Sequence, residues 1–183
     1  MAMIIQSRNE LVSHYAPAGV WAELGVEAGN FSAEMLRRKD VRELWLIDCW
    51  NPYPNADLRD PTVWSFEKGE ELLRSVIARF CGDHRVRILR SLIEDAALSF
   101  PREYFDFVYI DAAHSYEAVK KHLDLYYPLV RRGGMIAGHD YWKAESLPWI
   151  EVRPAVDDWC RENGLKISII SDEPCGSFAI IKP

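Results

Sequence analysis

Short apolar runs rich in β-branched and aromatic residues alternate along this chain with segments whose apolar residues recur every three or four positions. The first pattern is typical of buried strands and the second of amphipathic helices. The predicted strands are Gly19–Leu24, Leu44–Asp48, Val86–Arg90, Phe105–Ile110, Met135–Gly138, Ile167–Ser171 and Ser177–Ile181. The predicted helices are Phe31–Arg38, Ser65–Cys81, Tyr116–Val130 and Pro154–Asn163, preceded by an N-terminal helical segment over residues 1–18.

This alternation predicts an α/β fold: a single doubly wound, mostly parallel sheet with helices on both faces. The end of the chain departs from it, because the last two strands are joined only by a short turn that holds Pro174 and Gly176. Such a turn is too short for a crossover, so we expect an antiparallel C-terminal hairpin. No linker or repeat interrupts residues 1–183, and we expect one domain.

Charge and cysteine content narrow the classes of partner and compartment. Lys and Arg number 22 against 28 Asp and Glu, which gives a net charge of −6 and argues against a nucleic-acid partner. We expect no membrane partner, since no apolar run reaches spanning length and polar residues follow Met1–Ile5 too early for a signal peptide. Four cysteines without a Cys-x-x-Cys pair are typical of free thiols, so we expect a cytoplasmic protein. The oligomeric state stays open.

The segment Val20–Ser32 is the most informative part of the chain. It has the pattern of a buried strand, a tight glycine turn and a helix start, with the spacing Glu23-x-Gly25-x-x-x-Gly29. Glycines allow close backbone approach, and Asp48 at the end of the next strand offers two acceptors to a pair of ribose hydroxyls. The pattern therefore suits a nucleoside-like ligand.

The spacing of this turn also discriminates between cofactors. A dinucleotide fold requires Gly-x-Gly-x-x-Gly, with the pyrophosphate on the helix N-terminus. Glu23 and Glu27 instead place negative charge there, which repels a pyrophosphate and attracts a cation. S-adenosylmethionine, which carries an ammonium and a sulfonium but no phosphate, fits this turn. The alternative is that the glycines serve packing only.

Acids and histidines follow two other predicted strands, and these strands are joined by one helix-length segment. We expect the strands to be parallel neighbours whose ends meet at one edge of the sheet. The residues are Asp111, His114, His139 and Asp140. They suit a divalent cation, Mg²⁺ or Mn²⁺, or a histidine general base acting on a hydroxyl. The third interpretation is that they only cap strand and helix ends, as Ser115 would.

Two long connections, Trp50–Trp64 and Tyr141–Arg153, follow strands and are rich in proline and aromatic residues. Loops at the carboxyl edge of such a sheet commonly bind ligands, although either loop taken alone is equally suited to packing. Their aromatic residues are expected to shape the pocket of a small-molecule acceptor: Trp50, Tyr141, Trp142 and Trp149.

With these features in place, the chain from about Val20 to Pro183 resembles the class I S-adenosylmethionine-dependent methyltransferases. The segments Tyr109–Tyr116 and Gly133–Tyr141 are similar to a small family of bacterial methyltransferase domains. That family in turn resembles the metal-assisted O-methyltransferases of the catechol, caffeoyl-CoA and macrocin types. The resemblance implies methylation of a small-molecule hydroxyl with S-adenosylmethionine as cofactor, assisted in one version by Mg²⁺ or Mn²⁺.

The resemblance also implies roles for individual residues. The amino-acid part of the cofactor would lie at the glycine turn, the ribose at the acid of the next strand, and the adenosine beside the residues after the second and third predicted strands. The implied cofactor-binding residues are Glu23, Gly25, Gly29, Asn30, Ser32, Asp48, Cys49, Trp50, Ser91, Leu92 and Asp111. The implied metal ligands are Asp111, His139 and Asp140, and the implied catalytic residues are His114, His139 and Asp111.

The chain departs from the family pattern at three positions. Ala113 stands where many relatives have an acid, and His114 stands where catechol-type enzymes carry a lysine base. His139-Asp140 replaces the usual Asp-Asp or Asp-Asn pair, and a register shifted by one would pair Asp140 with Tyr141. Two other functions remain open at this point: a nicotinamide-dependent oxidoreductase and a non-catalytic module that binds the cofactor.

Overall fold

The computed structural model describes residues 2–52, 65–142, 147 and 149–183. Its strands are β1 Met3–Ile5, β2 Gly19–Leu24, β3 Val41–Asp48, β4 Val86–Arg90, β5 Phe105–Ile110, β6 Val130–Gly138, β7 Ile169–Ser171 and β8 Phe178–Ile181. Its α-helices are α1 Arg8–Glu10, α2 Asn30–Met35, α3 Phe66–Phe80, α4 Ile93–Ala97, α5 Tyr116–Tyr126 and α6 Val152–Glu162. A π-helical turn covers Leu11–Tyr15 and a 3-10 turn covers Tyr127–Leu129.

The eight strands form one sheet in the order β1-β7-β8-β6-β5-β2-β3-β4. Strand β8 runs antiparallel to both of its neighbours, β6 and β7, and every other pair is parallel. The predicted mostly parallel sheet and the C-terminal antiparallel hairpin are therefore confirmed. The hairpin folds back so that β8 lies between β6 and β7, because a turn this short leaves no room for a crossover.

Apolar clusters cover both faces of the sheet. On one face α4, α5 and α6 pack against the strands, with Leu123 and Trp159 almost fully buried. On the other face α2, α3 and the N-terminal segment pack around Trp21 and Val76, which are fully buried. The strands of a sheet that is covered on both faces are apolar at nearly every position, and β5 is accordingly buried throughout. The doubly wound architecture predicted from the sequence is confirmed.

The N-terminal segment differs from its prediction. Met3–Ile5 form strand β1, where we expected a helical segment over residues 1–18. This strand pairs in parallel with Ile169–Ser171 at the other end of the chain, and the Asp172 N–H donates to the Ile5 carbonyl at 2.8 Å. Three residues carry too little pattern to indicate a strand, and the partner that makes them one is remote in sequence. Helical turns follow only from Arg8 onwards.

Several boundaries also shift. Helix α5 ends at Tyr126 and continues as a 3-10 turn, since Pro128 lacks the N–H that a longer helix needs. Helix α2 ends at Met35 rather than Arg38. Strand β6 begins at Val130 rather than Met135 and includes a register shift against β5. The short helix α4 was not predicted, because its five residues are fewer than the periodicity needs.

The central parallel strands β2, β3, β5 and β6 end at one edge of the sheet. Leu24 lies opposite Ile47 on one side and Ile110 on the other, and Ile110 lies opposite Gly138. The loops that follow these four strands therefore meet at this carboxyl edge, where doubly wound sheets bind ligands. None of the helices in the described part of the chain combines the length and the apolar character that a membrane crossing requires.

Candidate functional site

The glycine turn between β2 and α2 lies at the carboxyl edge, and its glycines are required by neighbouring protein atoms. Gly25 and Gly29 have φ angles of 84° and 72°, in the left-handed region that glycine adopts without strain. A Cβ at Gly25 would overlap the Asp111 carbonyl oxygen, and one at Gly29 would lie 2.6 Å from Phe80 Cε2. The two glycines thus let the loop after β5 and helix α3 approach the turn closely.

The peptide N–H groups of the turn are bonded inside the protein. The Val26 and Glu27 N–H groups donate to Asp48 Oδ2 at 2.8 and 3.0 Å, and the Gly25 N–H donates to the Ile47 carbonyl at 2.9 Å. A pyrophosphate needs such N–H groups pointing at it, together with a positive field. Here the Asp48 carboxylate accepts from two of them, so this part of the turn is unsuited to a pyrophosphate.

The same bonds change the expected role of Asp48. Its Oδ1 also accepts from the Trp50 N–H at 2.8 Å, so three backbone donors surround the carboxylate. A carboxylate has about four acceptor positions, which leaves one for a ligand. The role of Asp48 in binding the ribose stays a prediction, with one acceptor position left for a hydroxyl instead of the two expected. The side chain primarily shapes the turn.

Glu23 is the acid that lies deepest at this edge. Its side chain is 2% exposed and accepts a hydrogen bond from the Ser32 hydroxyl, so the first turn of α2 is tied to the end of β2. Burial raises the pKa of Glu23 to about 8, and the nearby acids Asp111 and Asp48 add to the effect. An ammonium group placed beside this carboxyl would favour the ionised form.

Two of the predicted cofactor residues do not face a ligand through their side chains. Trp50 is fully buried, and its indole N–H donates to the Glu27 carbonyl at 2.9 Å. The backbone of Trp50 has a φ of 44° and its indole lies in the core, so the prediction that Trp50 flanks the adenosine stays a prediction for its backbone and not for its side chain. Asn30 is exposed, and its Oδ1 accepts from Arg79 of α3 at 2.9 Å. A sequence pattern carries no information on such turns of the backbone.

Three other predicted residues do border the edge next to β3 and β4. Cys49 is half-buried, and its thiol donates to the Asn51 carbonyl at 3.3 Å. Ser91 and Leu92 are half-buried as well, and the Ser91 N–H donates to the Asp48 carbonyl at 3.0 Å. Their predicted contacts, Cys49 with the adenosine and Ser91 and Leu92 with the adenine, stay predictions.

The second group of predicted residues comes together after β5 and β6. His139 Nδ1 lies 3.8 Å from Asp111 Oδ1 and 3.3 Å from Asp140 Oδ2. His114 Nε2 lies 3.1 Å from the same Asp140 oxygen. The Asp111 and His139 N–H groups continue the sheet pattern beyond the strands, donating to carbonyls of the neighbouring strand at 2.8 and 3.0 Å. The expectation that parallel neighbours bring these four residues together is confirmed.

The charges of this cluster are coupled. Burial raises the pKa of Asp111, and Asp140 adds to this, whereas His139 and Arg8 oppose it. Burial also acts on Asp140, but hydrogen bonds from His114 and His139 outweigh it and hold the pKa of that carboxyl well below its usual range. Burial lowers the pKa of His139, and the Asp140 and Asp111 carboxylates reverse the effect and raise it.

The donor set of the cluster fits a divalent cation. Asp111, His139 and Asp140 each offer one ligand atom, and these atoms all lie within 4.8 Å of one another. Carboxylate oxygens suit Mg²⁺ and Mn²⁺, and an imidazole nitrogen shifts the preference towards Mn²⁺, Fe²⁺ or Zn²⁺. Because a ligating imidazole must be neutral, binding here requires His139 to lose its proton.

Arg8 is a member of the site that the sequence reasoning missed. Its Nη1 lies 3.0 Å from Asp111 Oδ2, and its guanidinium carbon lies 4.5 Å from the centre of the Phe31 ring. The backbone N–H of Arg8 donates to Glu173 Oε1 at 2.5 Å, which holds the residue against the β7–β8 turn. No motif surrounds Arg8 in the sequence, and only the pairing of β1 with β7 brings it here.

A small cleft adjoins the cluster on the side of α5 and α6. It is lined by Ile110, Asp111, Ala112, Ala113, His114, Val119, His139, Asp140, Val152 and Phe178. Nearby, Tyr141 is 4% exposed and donates to Asp157 at 2.7 Å, and the Trp142 indole donates to the Ser171 carbonyl at 3.0 Å. Both aromatics are held by internal bonds. Residues 53–64, 143–146 and 148 of the two predicted loops lie outside the described residues.

A family model described as "Methyltransferase domain" matches residues 22–141, which include the glycine turn, Asp48 and the whole acid–histidine cluster. The chain belongs to this methyltransferase domain family. The resemblance inferred from the sequence is therefore confirmed. Arg8 lies outside the matched segment.

Solved structures share the fold of this methyltransferase domain. The O-methyltransferase NovP is 17% identical, with 94% of this chain and 75% of that chain covered and a TM-score of 0.64. The N-methyltransferase NodS from Bradyrhizobium japonicum WM9 is 13% identical, with 96% and 91% covered and a TM-score of 0.64. Spermidine synthase from Thermotoga maritima is 15% identical, with 95% and 58% covered and a TM-score of 0.59. No curated protein sequence matches the chain.

Proposed function

We propose that this methyltransferase domain uses S-adenosylmethionine to methylate a hydroxyl group of a small-molecule acceptor, with a divalent cation held by Asp111, His139 and Asp140. One observation carries the cofactor assignment. The turn after β2 directs its N–H groups to the Asp48 carboxylate and is backed by the buried acid Glu23. This arrangement disfavours a phosphate and favours a cationic ligand such as an ammonium with a sulfonium.

Different residues at the carboxyl edge would bind different groups of the cofactor. Glu23 lies where the ammonium of the methionine part would find a carboxylate, and its pKa is raised by burial, so a cation there relieves an unfavourable desolvation. The one acceptor position left on Asp48 would take a ribose hydroxyl. The half-buried Ser91 and Leu92 would border the adenine.

When bound, S-adenosylmethionine supplies the methyl group, and a divalent cation supplies Lewis acidity that lowers the pKa of the attacking hydroxyl. The chain itself contributes position and proton transfer. Holding the acceptor beside the glycine turn makes the reaction effectively unimolecular. We assign the role of general base to His114, which accepts the hydroxyl proton at a ring nitrogen. Asp140, 3.1 Å from His114 Nε2, stabilises the imidazolium that forms.

An oxygen acceptor follows from the chemistry of the cluster. Two carboxylates and an imidazole hold hard cations, and such cations orient and acidify hydroxyl groups. In a version without metal, either His114 or His139 would take the hydroxyl proton, as expected from the sequence. A nicotinamide-dependent reaction gains no support from this turn. We also propose that the enzyme acts in the cytoplasm on a small metabolite.

Calorimetric titration tests the cofactor assignment. We expect S-adenosylmethionine and S-adenosylhomocysteine to bind the full chain, whereas NAD⁺ and NADP⁺ produce no heat of binding. Asp48→Ala should weaken binding of the adenosyl ligands, because it releases the turn as well as the ribose contact. Absence of heat with both adenosyl ligands at high micromolar concentration would refute the proposal.

A further inference from the structure

Arg8 places a fixed positive charge at the site, on a segment that the family model does not cover. Its side chain is 30% exposed and lies between Asp111, after β5, and Phe31, the second residue of α2. The position is well defined, because Glu173 accepts from the Arg8 N–H and also from the Ser171 hydroxyl, at 2.5 and 2.8 Å. The backbone of Arg8 is thus fixed by Glu173 and its guanidinium by Asp111 and the Phe31 ring, an arrangement suited to bind a ligand.

The charges around Arg8 match those of an α-amino acid. Arg8 lies over Phe31 and pairs with Asp111, and Glu23 accepts from Ser32, so a cation and two acids lie beside the first turn of α2. Helix α2 begins at Asn30, directly after the turn at which the amino-acid part of the cofactor would lie. That part is a zwitterion, with an ammonium and a carboxylate on one carbon. The acids suit its ammonium, and Arg8 suits its carboxylate.

We propose that the Arg8 guanidinium binds the carboxylate of S-adenosylmethionine and makes this domain select the carboxylated cofactor over its decarboxylated form. The inference rests on the proposed function and adds a residue that recognises one group of the cofactor. A guanidinium carries five N–H donors in a planar fork that fits a carboxylate. Asp111 engages Nη1 and Tyr109 also hydrogen-bonds to the Arg8 side chain, so some of the five donors remain for a second carboxylate. The ion pair with Asp111 then holds the fork in place.

The experiment compares two ligands that differ by one carboxylate. S-adenosylmethionine and decarboxylated S-adenosylmethionine are titrated calorimetrically into the wild-type chain and into Arg8→Met, Arg8→Lys and Arg37→Met. We expect the wild type to prefer the carboxylated ligand by at least about tenfold, or about 1.4 kcal/mol. Arg8→Met should weaken the binding of S-adenosylmethionine by about 10- to 100-fold, which is the effect expected from the loss of a charge-assisted hydrogen bond. The decarboxylated ligand should bind Arg8→Met equally well or better, because removing a cation does not disfavour an ammonium ligand.

Two variants act as controls. Arg37→Met removes the same charge from a side chain that is 76% exposed and paired with Glu34, and both affinities should equal those of the wild type. Arg8→Lys keeps the charge without the planar fork, so its preference should fall between those of the wild type and Arg8→Met. If Arg8→Met does not fold by circular dichroism, Arg8→Lys decides: an undiminished preference overturns the inference.

The other outcomes are equally definite. If Arg8→Met lowered the affinity for both ligands by the same factor, Arg8 would act only by holding Asp111, and the inference would be overturned. A wild type that binds S-adenosylmethionine without preferring it would overturn the inference and leave the proposed function standing. A wild type that binds neither ligand would overturn both.

Discussion

Glu23 offers a sharp test, because it is a buried acid whose pKa is dominated by desolvation and only partly offset by Arg8 and the Ser32 hydroxyl. It is 2% exposed, and burial raises its pKa from the ordinary value of 4.5 to about 8. The folded state therefore retains a proton that the unfolded state loses between these two values. Stability must fall as the pH rises through this window, since the folded state binds more protons than the unfolded state.

The magnitude follows from the shift. Each pH unit between the two pKa values lowers the free energy of unfolding by about 1.4 kcal/mol. The loss is thus about 3 kcal/mol at pH 7 and about 5 kcal/mol above pH 8. Glu23→Gln removes the titration but keeps the shape and an acceptor for the Ser32 hydroxyl. Relative to the wild type, the variant should gain several kcal/mol of stability between pH 5 and pH 8.5.

Urea unfolding followed by circular dichroism at pH 5 and pH 8.5 measures the effect. The quantity of interest is how the difference between Glu23→Gln and the wild type changes with pH, which cancels any constant effect of the amide. Glu34→Gln, which removes a half-exposed carboxylate paired with Arg37, reports the effect of losing one surface charge. A difference for Glu23→Gln that is the same at both pH values, within about 1 kcal/mol, would refute a protonated buried acid.

Three further predictions concern the turn, a buried histidine and the metal. Gly25→Ala should unfold well below the wild-type temperature, since its Cβ would overlap the Asp111 carbonyl oxygen. Gly82→Ala should not, because its Cβ meets no atom of the described residues within 4 Å. His122→Leu should raise the free energy of unfolding by about 1 kcal/mol, because this fully buried imidazole makes no hydrogen bond within the described residues and its Nε2 lies 3.7 Å from Glu94 Oε1, too far for one. Mn²⁺ should raise the melting temperature of the EDTA-treated wild type and have no effect on Asp140→Asn. Thermal scans measure the first and third, and urea titration measures the second.

Each of these predictions has an outcome that contradicts it. Equal melting temperatures for Gly25→Ala and Gly82→Ala would mean that the turn can move away from the loop after β5. A destabilised His122→Leu would show that the imidazole contributes packing or a bond that outweighs its burial. A shift with Mn²⁺ that persists in Asp140→Asn would place the cation elsewhere, and no shift in the wild type would favour the version in which a histidine acts without metal.

Much of the fold was predictable from the local pattern of apolar and polar residues. Strands such as Phe105–Ile110, buried at all six positions, are visible as apolar runs because both faces of a doubly wound sheet are covered. The C-terminal hairpin was predictable from the length of its turn alone. The meeting of Asp111 with His139 and Asp140 was predictable as well, because parallel neighbouring strands end at one edge.

Long-range contacts decided the rest. Met3–Ile5 became a strand only by pairing with Ile169–Ser171 at the opposite end of the chain, and this pairing brought Arg8 to the site. The inward turn of Trp50 depends on a positive φ that no spacing rule indicates. Two of the three hydrogen bonds that Asp48 accepts come from the turn after β2, which is separated from Asp48 in the sequence by helix α2 and strand β3.

The amino-acid sequence by itself determined which segments are strands and helices, how the chain winds and which acids and histidines end the strands, because periodicity and connection length are local properties. Only the tertiary structure decided what those side chains bond to. The direction of the backbone decides that Asp48 accepts hydrogen bonds from the turn after β2. Pairing between distant segments decides that Arg8 lies beside Asp111. Neither is encoded in the spacing of residues along the chain.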